Sequence, residues 1–333
     1  MRHVSLNQPF VVRGYAASWP ASQTWSASYL SQTLGSHPVN VAITPFGNAD
    51  SVIDVEDEGC VFVQPYEATE PFCDALKKIQ HQELHSSPQH RKREGEKDED
   101  KTQTPTRYLQ TQNDNLRSEY LPLFTSIPPS IPFAHIALQK PPDAINFWLG
   151  NSHSVTALHK DNYENIYVQV RGQKHFVLLP PVESVCVNER SVLAATYGPR
   201  DGGENGNEDL TDLVPHIDTP TSYTPFALWD PEFPTLRSAR FSHLSRPLRV
   251  TLDEGDMLYL PALWYHKVSQ SCSEEGICCA VNYWYDLDFG GSFWAMAGFV
   301  RGVGLLSLGG RGGDEEVEEK EQEEEGEGKT IGD

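Results

Sequence analysis

Cysteine is scarce in this chain and is not arranged for metal binding or for a disulfide framework. The six residues, Cys60, Cys73, Cys186, Cys272, Cys278 and Cys279, show no metal-ligand spacing. On a strand, neighbouring Cys278 and Cys279 point to opposite faces, so a reduced, intracellular protein is expected. Long apolar runs are also missing. No stretch approaches the roughly 20 residues of a membrane-spanning helix, and the N-terminus, Met1-Arg-His-Val-Ser-Leu-Asn-Gln-Pro-Phe10, lacks the apolar stretch of a secretory signal. These absences predict no membrane partner and a cytoplasmic location, with the nucleus as a second one. Positive charge is in the minority, with 26 Lys and Arg against 47 Asp and Glu. The resulting net charge of −21 argues against phosphate-backbone binding, so no nucleic-acid partner is expected; it suits a cationic substrate. Neither a glycine-rich phosphate loop nor a G-x-S-x-G elbow occurs.

The acidity is shared between a dense C-terminal block and a body that remains acidic. Residues 311–333 hold 11 acidic and 3 basic side chains. A like-charge block of this kind, within an acidic tail over 309–333, is expected to be disordered: a solubilising tail, or a docking strip for a basic partner. Residues 86–106 offer no face for burial and predict a disordered charged insert between an N-terminal part (1–85) and a core over 107–308. That core contains many short strand-like runs, among them Ala144-Ile-Asn-Phe-Trp-Leu149, Asn165-Ile-Tyr-Val-Gln-Val170, Lys174-His-Phe-Val-Leu-Leu179 and Ile277-Cys-Cys-Ala-Val-Asn-Tyr-Trp-Tyr285. Arg171-Gly172 reads as a tight hairpin between two of them. Short strands without intervening helices predict a mainly β, antiparallel sandwich or barrel. Segment 186–247, rich in Gly, Pro, Asn and Asp, reads as a long lid-like loop without structure of its own. Residues 286–308 are expected to form a helix packed on the barrel through Phe293, Trp294, Met296 and Phe299.

Three residues carry chemistry. If residues 155–161 form a strand, His159 and Asp161 share one face, and His266, in Leu258-Tyr-Leu-Pro-Ala-Leu-Trp-Tyr-His266, can reach the same ion from a distant strand. Two imidazoles and one carboxylate on one face of a metal leave about three coordination positions open, the arrangement of non-haem Fe(II) oxygenases. An H-x-D pair alone is weak, since a surface His beside a solvated Asp gives the same pattern. Two decoys are set aside. His81-Gln-Glu-Leu-His85 has the wrong order for a zinc-protease helix and adjoins the charged insert. His153, six residues before His159, is placed outside the ligand set.

The segments Asn146-Phe-Trp-Leu-Gly150, Leu158-His-Lys-Asp-Asn-Tyr-Glu-Asn165, Gly172-Gln-Lys-His-Phe176, Met257 to His266 and Ala280-Val-Asn-Tyr-Trp-Tyr-Asp286 resemble the JmjC-domain 2-oxoglutarate oxygenases. The likeness covers most of residues 8–180 and 249–290 and is poor over 186–247. Members of that family begin with a further segment ahead of the Pro9-to-Gly14 strand, so a shortened form or an upstream start is expected here.

The resemblance implies a double-stranded β-helix, a cupin-like jelly roll with flanking helices, holding Fe(II) through His159, Asp161 and His266 and using 2-oxoglutarate and O2. It matches Lys174, Thr156 and Tyr108 to donors for the far carboxylate of 2-oxoglutarate. Asn165 and Asn282 match amides that orient the cosubstrate, though each is equally an ordinary strand amide. Tyr163 and Trp284 are candidate walls of a substrate pocket. The implied activity is protein hydroxylation at C3 of a lysine, the partner being a protein of the translation-associated GTPase type. Methyl-lysine demethylation or peptidase action on histone tails, a zinc isomerase of the cupin type, and a non-catalytic binder of basic peptides are the alternatives. A homodimer through the terminal helix is left open.

Overall fold

The central strands of this protein bury side chains on both faces, which is why their sequences run apolar without the polar alternation of a half-exposed sheet. The computed structural model describes residues 2–85, 104–200, 210–290 and 292–308. The expected disordered segments over 86–103 and 309–333 lie outside the described residues. Thr106, assigned to the insert, is instead buried at the start of the strand Thr106–Tyr108.

Eight strands form the barrel. They are β1 (Ala144–Gly150), β2 (Thr156–His159), β3 (Tyr163–Arg171), β4 (Gln173–Leu179), β5 (Leu248–Leu252), β6 (Met257–Leu260), β7 (Tyr265–Ser271) and β8 (Cys278–Asp286). One sheet has the order β6-β3-β8-β1, extended at the β6 edge by Phe10–Val12. The facing sheet has the order β5-β4-β7-β2, and every pairing within the two is antiparallel. This is the double-stranded β-helix. Gly172 makes the β3–β4 hairpin with φ of 70°, and an added Cβ there would lie 2.5 Å from the Ser271 carbonyl oxygen.

Side-chain parity divides the core in two. On β8, Cys279, Val281, Tyr283 and Tyr285 join the main core outside the barrel, while Ala280 points inside. Ile166 and Val168 of β3 face outward into the cluster that also holds Trp25, Leu30, Phe72 and Ile79 of the N-terminal layer, whereas Tyr167 faces inward with Phe176, Leu178 and Leu258. The N-terminal layer consists of helices Pro20–Thr24, Ala27–Leu34 and Phe72–His85 with a three-stranded sheet of Pro38–Thr44, Tyr66–Pro71 and Thr106–Tyr108. Ser26 caps the second helix by accepting from the Tyr29 N–H at 3.1 Å. Fully buried Phe147 ties this layer to β1 through Trp25 and Tyr120, and truncating it would cost about 3–5 kcal/mol.

The 186–247 segment is not the structureless loop that its composition predicts. It contains strands Glu189–Pro199, Leu213–Ile217 and Tyr223–Ala227. Glu189–Pro199 pairs in parallel with Gly59–Gln64, which pairs with Ser51–Val55. Turn formers occur within these strands (Gly198, Pro199, Pro215 and Pro225), but Val192-Leu-Ala-Ala-Thr-Tyr197 is a sound strand whose partner lies far away in sequence. This accessory sheet packs Val192, Phe226 and Phe62 against Ala157 of β2, the strand that carries His159.

The terminal helix, Ser292–Ser307, also departs from expectation. Phe293 and Trp294 are partly buried, but Met296 is 57% and Phe299 72% exposed. The helix lies on the 181–186 turn, where Gly304 allows close approach to Val185. No helix among the described residues is long and apolar enough to cross a membrane. None of the six cysteines forms a disulfide among the described residues.

Candidate metal and cosubstrate site

Thr156 and His159 of β2 line the same cavity although three positions separate them. The β2–β7 register explains this: His266 stands opposite His159 and Val268 opposite Thr156, so β2 holds one extra residue in a bulge. Strand β2 ends at His159. Asp161 therefore converges on the site through the β2–β3 turn rather than through strand parity. That turn is tied to the β6–β7 turn, where the Leu263 N–H donates to the Asp161 carbonyl oxygen at 2.8 Å. Leu263 holds φ of 62°, a left-handed conformation that costs a leucine about 1–2 kcal/mol and positions the residues leading to His266.

The three side chains form one cluster, with ligand atoms all within 4.8 Å of one another. Asp161 Oδ2 lies 3.9 Å from His159 Nε2 and 3.5 Å from His266 Nε2. Each imidazole donates its Nδ1–H to a backbone carbonyl two residues back, His159 to Ala157 at 2.8 Å and His266 to Trp264 at 3.0 Å. These bonds select the tautomer that turns a bare Nε2 toward Asp161. Burial, reinforced by nearby His159 and opposed by Asp161, pushes the His266 imidazole down to about 4, so it is neutral and ready to ligate. Two imidazoles and a carboxylate fit Fe(II).

Lys174 lies on β4, 3% exposed, and donates to the Tyr108 hydroxyl at 2.9 Å and to the Gln270 amide oxygen. Burial works against its ammonium, contacts with Tyr108 and Cys278 favour it, and the net direction is upward. Among the described residues no carboxylate forms an ion pair with it. A buried cation held only by neutral partners fits an anionic ligand. Lys174 does not itself line the cavity; Tyr108 and Thr156 do, and Tyr108 carries the contact to it.

Asn165 and Asn282 come together on β3 and β8: Asn282 Nδ2 donates to Asn165 Oδ1 at 3.2 Å, and Trp148 Nε1 donates to Asn282 Oδ1 at 3.0 Å. Both line the cavity with the triad, as does Trp284. Tyr163 does not line it; its ring stacks on Trp284 with centroids 4.8 Å apart and planes 3° from parallel. His153 lies outside the triad cluster, and His81 and His85 stack on each other on Phe72–His85. Gln270, Trp148 and Gln110 were not singled out from the sequence. Gln270 is four residues beyond His266 and directly opposite Lys174, so the β4–β7 register alone would have found it.

An antiparallel double-stranded β-helix with two imidazoles and a carboxylate converging inside it defines the class, the JmjC cupin-like oxygenases. The cupin-like domain family model matches residues 1–291, and the chain belongs to that family. It is 36% identical over 285 residues to the human bifunctional peptidase and (3S)-lysyl hydroxylase JMJD7, covering 85% of this chain and 78% of the relative. It is 33% identical to the Arabidopsis thaliana lysine-specific demethylase JMJ32, over 86% of this chain and 78% of the relative. A Dictyostelium discoideum JmjC domain-containing protein E is 32% identical, over 86% and 80%.

Proposed function

We propose that this protein is an Fe(II)- and 2-oxoglutarate-dependent protein hydroxylase that adds oxygen at C3 of a lysine side chain. The observation that carries this reading is the placement of the His159, Asp161 and His266 cluster in a cavity whose wall, Tyr108, is bonded to the buried cation Lys174. A bound Fe(II) ion with 2-oxoglutarate and O2 supplies the oxidising equivalents, the 2-oxo acid losing CO2 to become succinate as a substrate C–H becomes C–OH. The residues of this chain do the rest. Lys174, Tyr108 and Thr156 hold the far carboxylate of the cosubstrate, and Asn165 and Asn282 orient its other end. Tyr167, Phe176 and Val268 make the cavity wall apolar and exclude water.

The choice of lysine rests on the human relative, whose name includes (3S)-lysyl hydroxylase; a translation-associated GTP-binding protein is the proposed bearer of that lysine. Demethylation is the second reading, favoured by the name of the Arabidopsis relative. A binder of basic peptides without catalysis is disfavoured by the intact triad. The partner state proposed is a homodimer: Met296, Phe299, Val303 and Leu306 are exposed at spacings of three and four residues, an apolar stripe suited to a second copy of the helix. Mass spectrometry of lysine peptides after incubation with the enzyme, Fe(II) and 2-oxoglutarate tests the chemistry. Gain of one oxygen supports it, and its absence with formaldehyde release from methylated lysine overturns it.

A further inference from the structure

Asp50 is a half-buried carboxylate that forms no ion pair among the described residues, beside a site lined by Gln110. It immediately precedes the strand Ser51–Val55. Its backbone is in the left-handed region at φ of 51°, a conformation that Asn and Asp accept more readily than other residues. The loop leading to it is pinned beside β2. The Val155 N–H donates to the Gly47 carbonyl at 2.9 Å, and a Cβ on Gly47 would lie 1.9 Å from the His153 carbonyl oxygen. Asp50 Oδ2 accepts from Gln110 Nε2 at 3.2 Å, and buried Gln110 lines the cavity that also holds the triad. Burial raises the Asp50 carboxyl above its usual range, although His159 and the Gln110 bond pull the other way. A carboxylate so placed lacks a cation, and neutral Gln110 fixes its direction without neutralising it.

We propose that Asp50, held by Gln110, receives the ammonium group of the substrate lysine and so selects lysine over apolar side chains at this site. This rests on the lysyl reading above. The physical requirement is simple: hydroxylation at a carbon near the backbone leaves the far end of a lysine needing a hydrogen-bonded anion, and an unmodified ammonium donates three such bonds. A trimethylated lysine donates none, so Asp50 favours the unmodified form.

The test is a binding measurement on metal-free full-length protein. It uses a fluorescein-labelled peptide of alanine and serine with one central lysine, and the same peptide with norleucine at that position. Norleucine keeps an unbranched four-carbon chain and removes the ammonium. Wild type is expected to prefer the lysine peptide by roughly 10- to 100-fold, the range for a hydrogen-bonded charge. Asp50→Asn keeps the side-chain shape, the tolerance of the left-handed backbone and an oxygen for Gln110, and is expected to erase that preference while binding the norleucine peptide as wild type does. Asp50→Glu is expected to restore part of it. If Asp50→Asn keeps the wild-type preference, Asp50 is not the acceptor, and the lysyl reading stands without it. If wild type itself fails to distinguish the two peptides, the lysyl reading fails and the assignment of Asp50 falls with it.

Discussion

Lys174 and Gln270 stand directly opposite each other on β4 and β7, and the Lys174 ammonium donates to the Gln270 amide oxygen. The same amide donates its N–H to the Asn151 carbonyl, so its orientation is fixed and its oxygen faces the lysine. The lysine is thus held in place but not neutralised.

Gln270→Glu should therefore weaken 2-oxoglutarate binding by at least about tenfold, because a carboxylate opposite Lys174 competes with that of the cosubstrate. Lys174→Ala should cost on the order of 3–5 kcal/mol of cosubstrate affinity, and Lys174→Arg should recover only part, its planar guanidinium being longer. Calorimetric titration of 2-oxoglutarate measures all three. An unchanged affinity in Gln270→Glu and Lys174→Ala would place the cosubstrate carboxylate elsewhere.

His159→Ala and Asp161→Ala should abolish 2-oxoglutarate turnover with little loss of stability, since their side chains are 25% and 23% exposed and support no packed core. Thermal unfolding beside a succinate assay checks both halves. Residual full turnover in either variant would remove that residue from the metal.

An antiparallel sandwich or barrel is legible in the sequence because its short strands and the Arg171-Gly172 hairpin follow local rules. The triad was legible too, but partly for the wrong reason. His159 and Asp161 were expected to meet through strand parity, whereas β2 stops at His159 and a turn brings Asp161 back. The bulge that aligns Thr156 with His159 leaves no mark in composition. Glu189–Pro199 went unseen because its parallel partner, Gly59–Gln64, is remote and its flanks are rich in turn formers. Met296 and Phe299 do not make the expected contacts with the barrel, because apolar spacing shows that a helix has an apolar face, not what covers it.

The His266 imidazole is held at about 4 by burial first and by His159 second. The unfolded chain takes up this proton near the ordinary value of about 6.5. Between these values the unfolded state binds more protons, so the stability of metal-free protein rises with pH across the window and is lost as pH falls through it. His266→Gln removes that term. Urea unfolding at pH ~7 and pH ~5 should show wild type losing about 1–2 kcal/mol more than the variant. Parallel losses would mean that His266 titrates normally.

Phe299→Asp places a charge in the middle of the exposed apolar stripe of the terminal helix and touches no core residue. Sedimentation velocity across the micromolar range should show a dimer for wild type and a monomer for the variant. A monomeric wild type would contradict the dimer.

The most direct measurement pairs an unmodified lysine peptide with its trimethylated counterpart, each incubated with enzyme, Fe(II), 2-oxoglutarate and air. Mass spectrometry reads the peptides while succinate and formaldehyde are assayed in the same tube. The expected result is one added oxygen on C3 of the unmodified lysine, with succinate and no formaldehyde. Loss of a methyl group with formaldehyde, and no oxygen on unmodified lysine, would contradict it.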